Sequence, residues 1–159
     1  MQKNFVASLL GVTIALVGCG GGNEETVAGE ITDDAISLSA DSAGPTVWIE
    51  LRNAGDTPCD LLAVMSEAPD ELPMSEGRVA FPQSGAGVHR YVEEMYVEVD
   101  GEAAGSAGTP GEAVTIEPTE TGRLQIAFKG VPEREERVIL CNGEGDYERG
   151  RYAVLPFTR

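Results

Sequence analysis

The sequence predicts an all-β protein, an antiparallel β-sandwich of about seven to nine strands. Three observations carry this. Apolar and polar residues alternate with period two through most of the chain, the pattern of strands with one face buried and one wet. Clusters of Gly, Asn, Asp and Pro break the alternation at short intervals. No segment shows a convincing helical period, although 68–77 has room for a short helical turn.

Taken in order, residues 34–39 open the strand series. In Thr46-Val47-Trp48-Ile49-Glu50-Leu51-Arg52, positions 47, 49 and 51 point one way and Trp48, Glu50 and Arg52 the other. Residues 59–66, 78–81 and 87–93 follow. Met95, Val97 and Val99 then alternate with Tyr96 and Glu98, and after 112–117, Leu124, Ile126 and Phe128 alternate with Gln125, Ala127 and Lys129. Residues 135–141 and 150–157 complete the set. The separators are Asn53-Ala54-Gly55-Asp56, 82–87, Asp100-Gly101, Glu117-Pro118 and Asn142-Gly143, all good turn formers. Residues 101–111 are small and Gly-rich and read as a mobile loop.

The first 18 residues read as an address. Lys3 is followed by an uncharged apolar stretch, Phe5 to Val17, too short to span a hydrocarbon layer of about 30 Å as a helix. It fits the apolar region of a secretory signal. The stretch ends in Leu16-Val17-Gly18-Cys19, which closely resembles the lipobox of bacterial lipoproteins. The resemblance implies cleavage before Cys19, a diacylglycerol on its sulfur and attachment to a bacterial membrane. Gly20, where enterobacterial sorting would read an Asp, favours the outer membrane. Residues 19–32 read as the lipidated Cys and a flexible tether; ten such residues reach roughly 17–19 Å. The sandwich is expected over 33–159.

The chain has 27 Asp+Glu against 11 Lys+Arg, a formal net charge of −16. Only Lys3 lies in the first 18 residues, so the mature chain is one unit more negative. This acidity excludes a nucleic-acid partner, since phosphate affinity is built from clustered Lys and Arg. It also argues against binding of the domain to anionic headgroups; the acidic surface is expected to keep it soluble and away from the membrane.

With Cys19 assigned to lipid, Cys59 and Cys141 remain, an even pair in an oxidising compartment. A disulfide between them is expected, closing a loop of about 80 residues and stabilising the fold by roughly 4–5 kcal/mol in the chain-entropy model. Two unpaired buried thiols are the competing reading.

The stretch from Val47 to Pro58, a strand followed by Asn53-Ala54-Gly55-Asp56-Thr57-Pro58, resembles bacterial immunoglobulin-like domains. Val114 to Gly122, Leu124 to Phe128 and Val131-Pro132 are similar to later strands of telokin-like lipoprotein domains. The resemblance implies an immunoglobulin-like sandwich and no shared catalytic residues. It does not extend to the antibody disulfide topology, because Trp48 precedes Cys59 and faces away from Val47, Ile49 and Leu51.

Few chemical sites are open. His89 is the single imidazole; Ser84 lies five residues before it, without a G-x-S-x-G elbow. Copper would draw on His89 with Met65, Met74 and Met95. The copper-chaperone family with this kind of sandwich uses two His and two Met, and one His fails that motif. Calcium is the more reasonable metal: Asn142, Glu144, Asp146 and Glu148 alternate with Gly143 and Gly145, and oxygen ligands on such a loop suit Ca²⁺. An EF-hand is excluded, because its Gly and terminal Glu would fall on Tyr147 and Ala153. The alternative for this loop is a solvated acidic turn. Trp48, out of the core phase, and Tyr96 are the candidate partner surface; the alternative is a Trp48 covered by a loop or helix.

The expected function is therefore a non-enzymatic, lipid-anchored module of the bacterial envelope, facing periplasm or cell surface and binding a protein or glycan partner. Carriage of a metal (Ca or Cu) or of a small ligand is the alternative.

Overall fold

A computed structural model describes residues 24–81, 89–92, 95–106 and 113–159. The signal stretch 1–18, Cys19, and Ser84 lie outside the described residues. The strands are β1 (Glu25–Ile31), β2 (Ile36–Leu38), β3 (Thr46–Asn53), β4 (Cys59–Ser66), β5 (Met74–Ser75), β6 (Arg78–Val79), β7 (His89–Tyr91), β8 (Met95–Val99), β9 (Glu102–Gly105), β10 (Val114–Ile116), β11 (Thr121–Ala127), β12 (Glu136–Cys141) and β13 (Tyr152–Leu155). No helix among the described residues is long and apolar enough to cross a membrane.

Two sheets form a sandwich. The larger has strand order β2-β1-β3-β11-β8-β9; the smaller has β10-β4-β12-β13, with β7 pairing β4 beside β10. Their inner faces meet through the residues that period two selects: Val47, Ile49 and Leu51, Val97, Leu124 and Ile126 from one sheet, Leu61, Ala63, Met65 and Ile139 from the other.

The structure corrects the expected outline in several places. Residues 25–31, expected within the tether, form β1, which runs parallel to β3 from Glu25↔Val47 to Ile31↔Asn53. The large sheet is therefore mixed, not purely antiparallel. The close pairing of β1 with β2 depends on Gly29, opposite Leu38, where a Cβ would lie 2.5 Å from the Ser37 carbonyl oxygen. Part of the expected loop 101–111 is β9, paired with β8 across a bulge at Val97/Glu98. The segment 68–77 holds β5, hydrogen-bonded to β6, in place of a helical turn. These short strands raise the described total to thirteen, above the seven to nine expected.

A second apolar layer explains why β4 and β12 are buried on both faces. Leu62, Val64, Val138 and Leu140 turn away from the sandwich interior and pack against Leu72 and Val79, with Met74, Phe81, Tyr91, Tyr147 and Tyr152 at the margin. The β5–β6 hairpin thus lies over the smaller sheet. Asn142 fastens it, its side chain accepting from the Val79 N–H at 2.7 Å and donating to the Val79 carbonyl at 3.2 Å.

Cys59 and Cys141 form the expected disulfide, with a Cα–Cα distance of 4.9 Å. Leu61 pairs with Cys141, so the bridge runs diagonally between adjacent strands of one sheet. Both sulfurs belong to the main core. Such a bond belongs to an oxidising compartment outside the cytoplasm.

Arg137 is fully buried at the sandwich edge. Its guanidinium donates to the carbonyls of Leu155, Gly44, Ala43 and Pro156 at 2.7–3.1 Å and lies 4.3 Å from the centre of the Phe157 ring. Burial pulls it down to about 10, still protonated at neutral pH. It ties the C-terminal segment to the chain just before β3.

Candidate functional site

The outer face of the large sheet gathers the aromatic and charged side chains that point away from the core. Pairing register sets them in rows. Gln125 on β11 lies opposite Trp48 on β3 and opposite Tyr96 on β8, giving the row Trp48–Gln125–Tyr96. The next row is Glu50–Arg123–Glu98. Same-face neighbours one strand apart are close enough for their side chains to interact.

Trp48 and Tyr96, 48 positions apart in sequence, meet edge to face with ring centroids 6.2 Å apart. The Arg123 guanidinium carbon stands 4.1 Å from the Trp48 ring centre, and its Nη1 is 4.0 Å from Glu98. The Trp48 indole N–H donates to Glu24 at 2.8 Å. Desolvation, with a hydrogen bond to Glu98, raises the Tyr96 phenol above its ordinary value.

This arrangement alters half of the expected partner surface. Tyr96 is exposed at 43%, but Trp48 is only 9% exposed. The indole is covered by Arg123 and Tyr96 from its own sheet, so the accessible groups are Tyr96 and Arg123. Sequence reasoning passed over Arg123 and Gln125. The signal was present, since the phase that sends Leu124 and Ile126 inward sends 123 and 125 outward.

The acidic loop does not gather its four expected oxygen ligands around a shared point. Asn142 is committed to Val79. Asp146 is nearly fully buried and accepts from the Gly143 N–H at 3.0 Å and from the guanidinium groups of Arg149 and Arg151, the latter at 3.0 Å. Arg151, also buried, donates further to the Thr32 carbonyl at 3.0 Å. Glu148 is exposed and Glu144 is exposed. Two of the four thus serve internal bracing and two face water. Among the described residues, no three His, Cys, Asp or Glu side chains come together as a metal-holding group.

The soft donors are separated as well. His89 stacks on Phe81 and shares a 2.8 Å hydrogen bond between Nδ1 and the Ser66 hydroxyl, on the outer side of β4. Met65 and Met95 lie in the core between the sheets, while Met74 borders the second layer. The serine beside the imidazole is Ser66, fully buried and also accepting from the Ala68 N–H at 2.9 Å.

A cleft of about 310 Å³ lies between β4 and the β5–β6 hairpin, with Asp60, Leu62, Arg78 and Val79 among its lining. Arg78 crosses it, 3.8 Å from Asp60 and 3.3 Å from the Asn142 carbonyl. Every buried side-chain nitrogen or oxygen among the described residues has a hydrogen-bond partner.

No family model matches the sequence, and no curated protein matches it. Solved structures do. A multi-copper oxidase from Pseudomonas thermotolerans is 11% identical with a TM-score of 0.50, over 85% of this chain and 30% of that one. A multicopper oxidase from Aquifex aeolicus is 8% identical with a TM-score of 0.49, over 91% and 32%. The chain therefore spans under a third of the length of these enzymes. The first likeness makes the sandwich cupredoxin-like.

Proposed function

We propose that this chain is a lipid-anchored, non-enzymatic interaction module of the bacterial envelope, binding a protein or glycan partner through the outer face of its large sheet. The observation that carries the reading is the alignment of Tyr96, Arg123, Gln125 and Glu98 on adjacent strands of one open face. Such a face offers an aromatic ring beside planar hydrogen-bonding groups on a rigid scaffold, and Tyr and Arg are favoured at binding hot spots. The lipobox-like Leu16-Val17-Gly18-Cys19 supports the anchor, the outer membrane by its Gly20, and the Cys59–Cys141 bridge supports the compartment.

The immunoglobulin-like reading is kept only as far as the sandwich. The copper in the names of the similar oxidases is not carried over. A blue-copper set needs two imidazoles and a thiolate. This chain has one His, committed to Ser66, and Cys59 and Cys141 are joined to each other.

Affinity capture from envelope extract tests the reading, run with the full chain and with a Tyr96→Ala/Arg123→Ala variant of equal stability. A partner held by the first and lost by the second supports it. Capture of nothing, or capture indifferent to the two substitutions, removes this face from consideration.

A further inference from the structure

β9 closes the large sheet on one side and is the one described strand with every residue exposed. At the opposite edge of that sheet, β2 is shorter and lies against β13. An edge strand turns every second N–H and C=O away from its neighbour, a row open to another extended chain. Proteins guard such rows with Lys or Pro on the strand and with bulges. β9 reads Glu102-Ala103-Ala104-Gly105, with neither Lys nor Pro. Its register passes from Glu98↔Ala103 to Val97↔Gly105, so Ala104 is the bulged residue. The bulge keeps any added strand short, and the remaining guard is charge of a single sign.

From 91 to 122, a stretch that contains β8, β9 and β10, the sequence holds eight Asp and Glu and no Lys or Arg. The cations on the strands of the large sheet are Arg123 on β11 and Arg52 on β3, two and three strands in from β9. Arg123 is already engaged by Glu98 and Trp48. Asp100, Glu102 and Glu120 line one cleft of about 460 Å³ beside Ala103 and Ala104. Backbone donors fix two of these carboxylates: Asp100 accepts from the Thr121 N–H at 2.9 Å, and Glu120 from the Glu117 N–H at 2.8 Å. Among the described residues none of the three has an ion-pair partner. They are not grouped closely enough to hold a metal ion. A cation on a long flexible stem suits them better.

We infer that β9 takes up an extended, Lys- or Arg-bearing segment of another protein as an added strand, with its cations entering the cleft of Asp100, Glu102 and Glu120. In this mode main-chain hydrogen bonds supply affinity and alternate side chains supply selection. Ala103, in register with Glu98, is small enough for a long side chain to lie across it. A second copy of this chain is the wrong occupant, because its own β9 would bring the same acids to the same edge at a net charge of −16 per chain. The inference is independent of the Tyr96–Arg123 face and of the lipid on Cys19.

The test titrates the full chain with a synthetic peptide of alternating Lys and Thr and follows backbone amides by nuclear magnetic resonance and hydrogen exchange. Exchange within Glu102–Gly105 should slow by about tenfold or more at saturating peptide, with Tyr96 and Gln125 unperturbed. Glu102→Gln/Glu120→Gln, which keeps the Glu117 hydrogen bond, should weaken binding by about 3- to 20-fold. The same peptide N-methylated at every second residue, which removes donors from each chain edge in turn, should lose the protection. Equal binding of the methylated peptide overturns strand addition, and equal binding of a Glu–Thr peptide overturns the charge selection. Shifts confined to Tyr96 and Gln125 move the peptide to the open face and overturn the β9 site, as does absence of binding at millimolar peptide. Protection of β9 that rises with protein concentration alone overturns the occupant in favour of a second copy.

Discussion

Cys59 and Cys141 join neighbouring strands of one sheet diagonally, 82 positions apart in sequence and both fully buried. Their bond braces the smaller sheet internally instead of clamping the two sheets together. Replacing both by Ala should lower stability by about 2–5 kcal/mol, read by urea denaturation, without changing the far-ultraviolet circular dichroism. In the native protein the bond should resist dithiothreitol until denaturant opens the core. Rapid reduction under native conditions would contradict its burial.

Arg137 makes a second long-range tie. Arg137→Met fills the volume but leaves the carbonyls of Ala43, Gly44, Leu155 and Pro156 without their donor. A loss of about 3 kcal/mol or more is expected. Arg137→Lys should fall between the two, because one ammonium cannot reproduce the planar fork. Early proteolysis of the C-terminal segment would report the local release.

Asp33 gives the fold a sign of acid sensitivity. Its carboxylate accepts from the Thr57 hydroxyl at 2.8 Å and from the N–H groups of Asp56 and Thr57 at 3.1 Å or less, tying the 32–35 turn to the loop before β4. The Thr57 hydroxyl, more than any other neighbour, holds this acid below its ordinary 3.8. A depressed acid stabilises the fold fully above its unfolded value and ceases to do so as pH falls through the folded one. Stability should therefore decline below about pH 4, and Asp33→Asn should flatten that decline, as followed by thermal melts across pH.

Millimolar Ca²⁺ should produce no thermal shift and no calorimetric heat, since Asn142 and Asp146 are occupied by Val79, Gly143, Arg149 and Arg151. Asn142→Ala should instead destabilise by about 1–3 kcal/mol, by stranding the Val79 backbone groups beneath the hairpin. A stoichiometric Ca²⁺ heat would restore the loop as a metal site.

On the open face, Tyr96→Ala should change stability by less than about 1 kcal/mol, because a half-exposed ring contributes little to the core. Trp48→Ala should cost several times that, having lost the Arg123 and Glu24 partners of a buried indole. Comparing the two melting curves checks the assignment of one residue to contact and the other to support.

What could be read from the sequence follows from what periodicity reports. Alternation of Val47, Ile49 and Leu51, or of Leu124 and Ile126, records which side of a strand is dry, and those residues fill the core. β1 left no such record: it follows a Gly-rich run, carries Glu25 and Glu30 on exposed positions, and becomes a strand by pairing along the whole length of β3. The continuous run from Leu61 to Met65 hinted at burial on both faces, but the β5–β6 hairpin that covers it is too short to have a period.

By itself the sequence determined the β-rich class, the strand faces, the even cysteine pair and the acidic charge, because each is a matter of composition or of neighbours along the chain. Tertiary structure decided the parallel pairing of β1, the intrasheet path of the disulfide, the covering of Trp48 by Arg123, and the meeting of Glu25, Phe128 and Thr158 with the segment just before β3. These depend on which distant strands pair and in what register, and no local pattern encodes a partner many residues away.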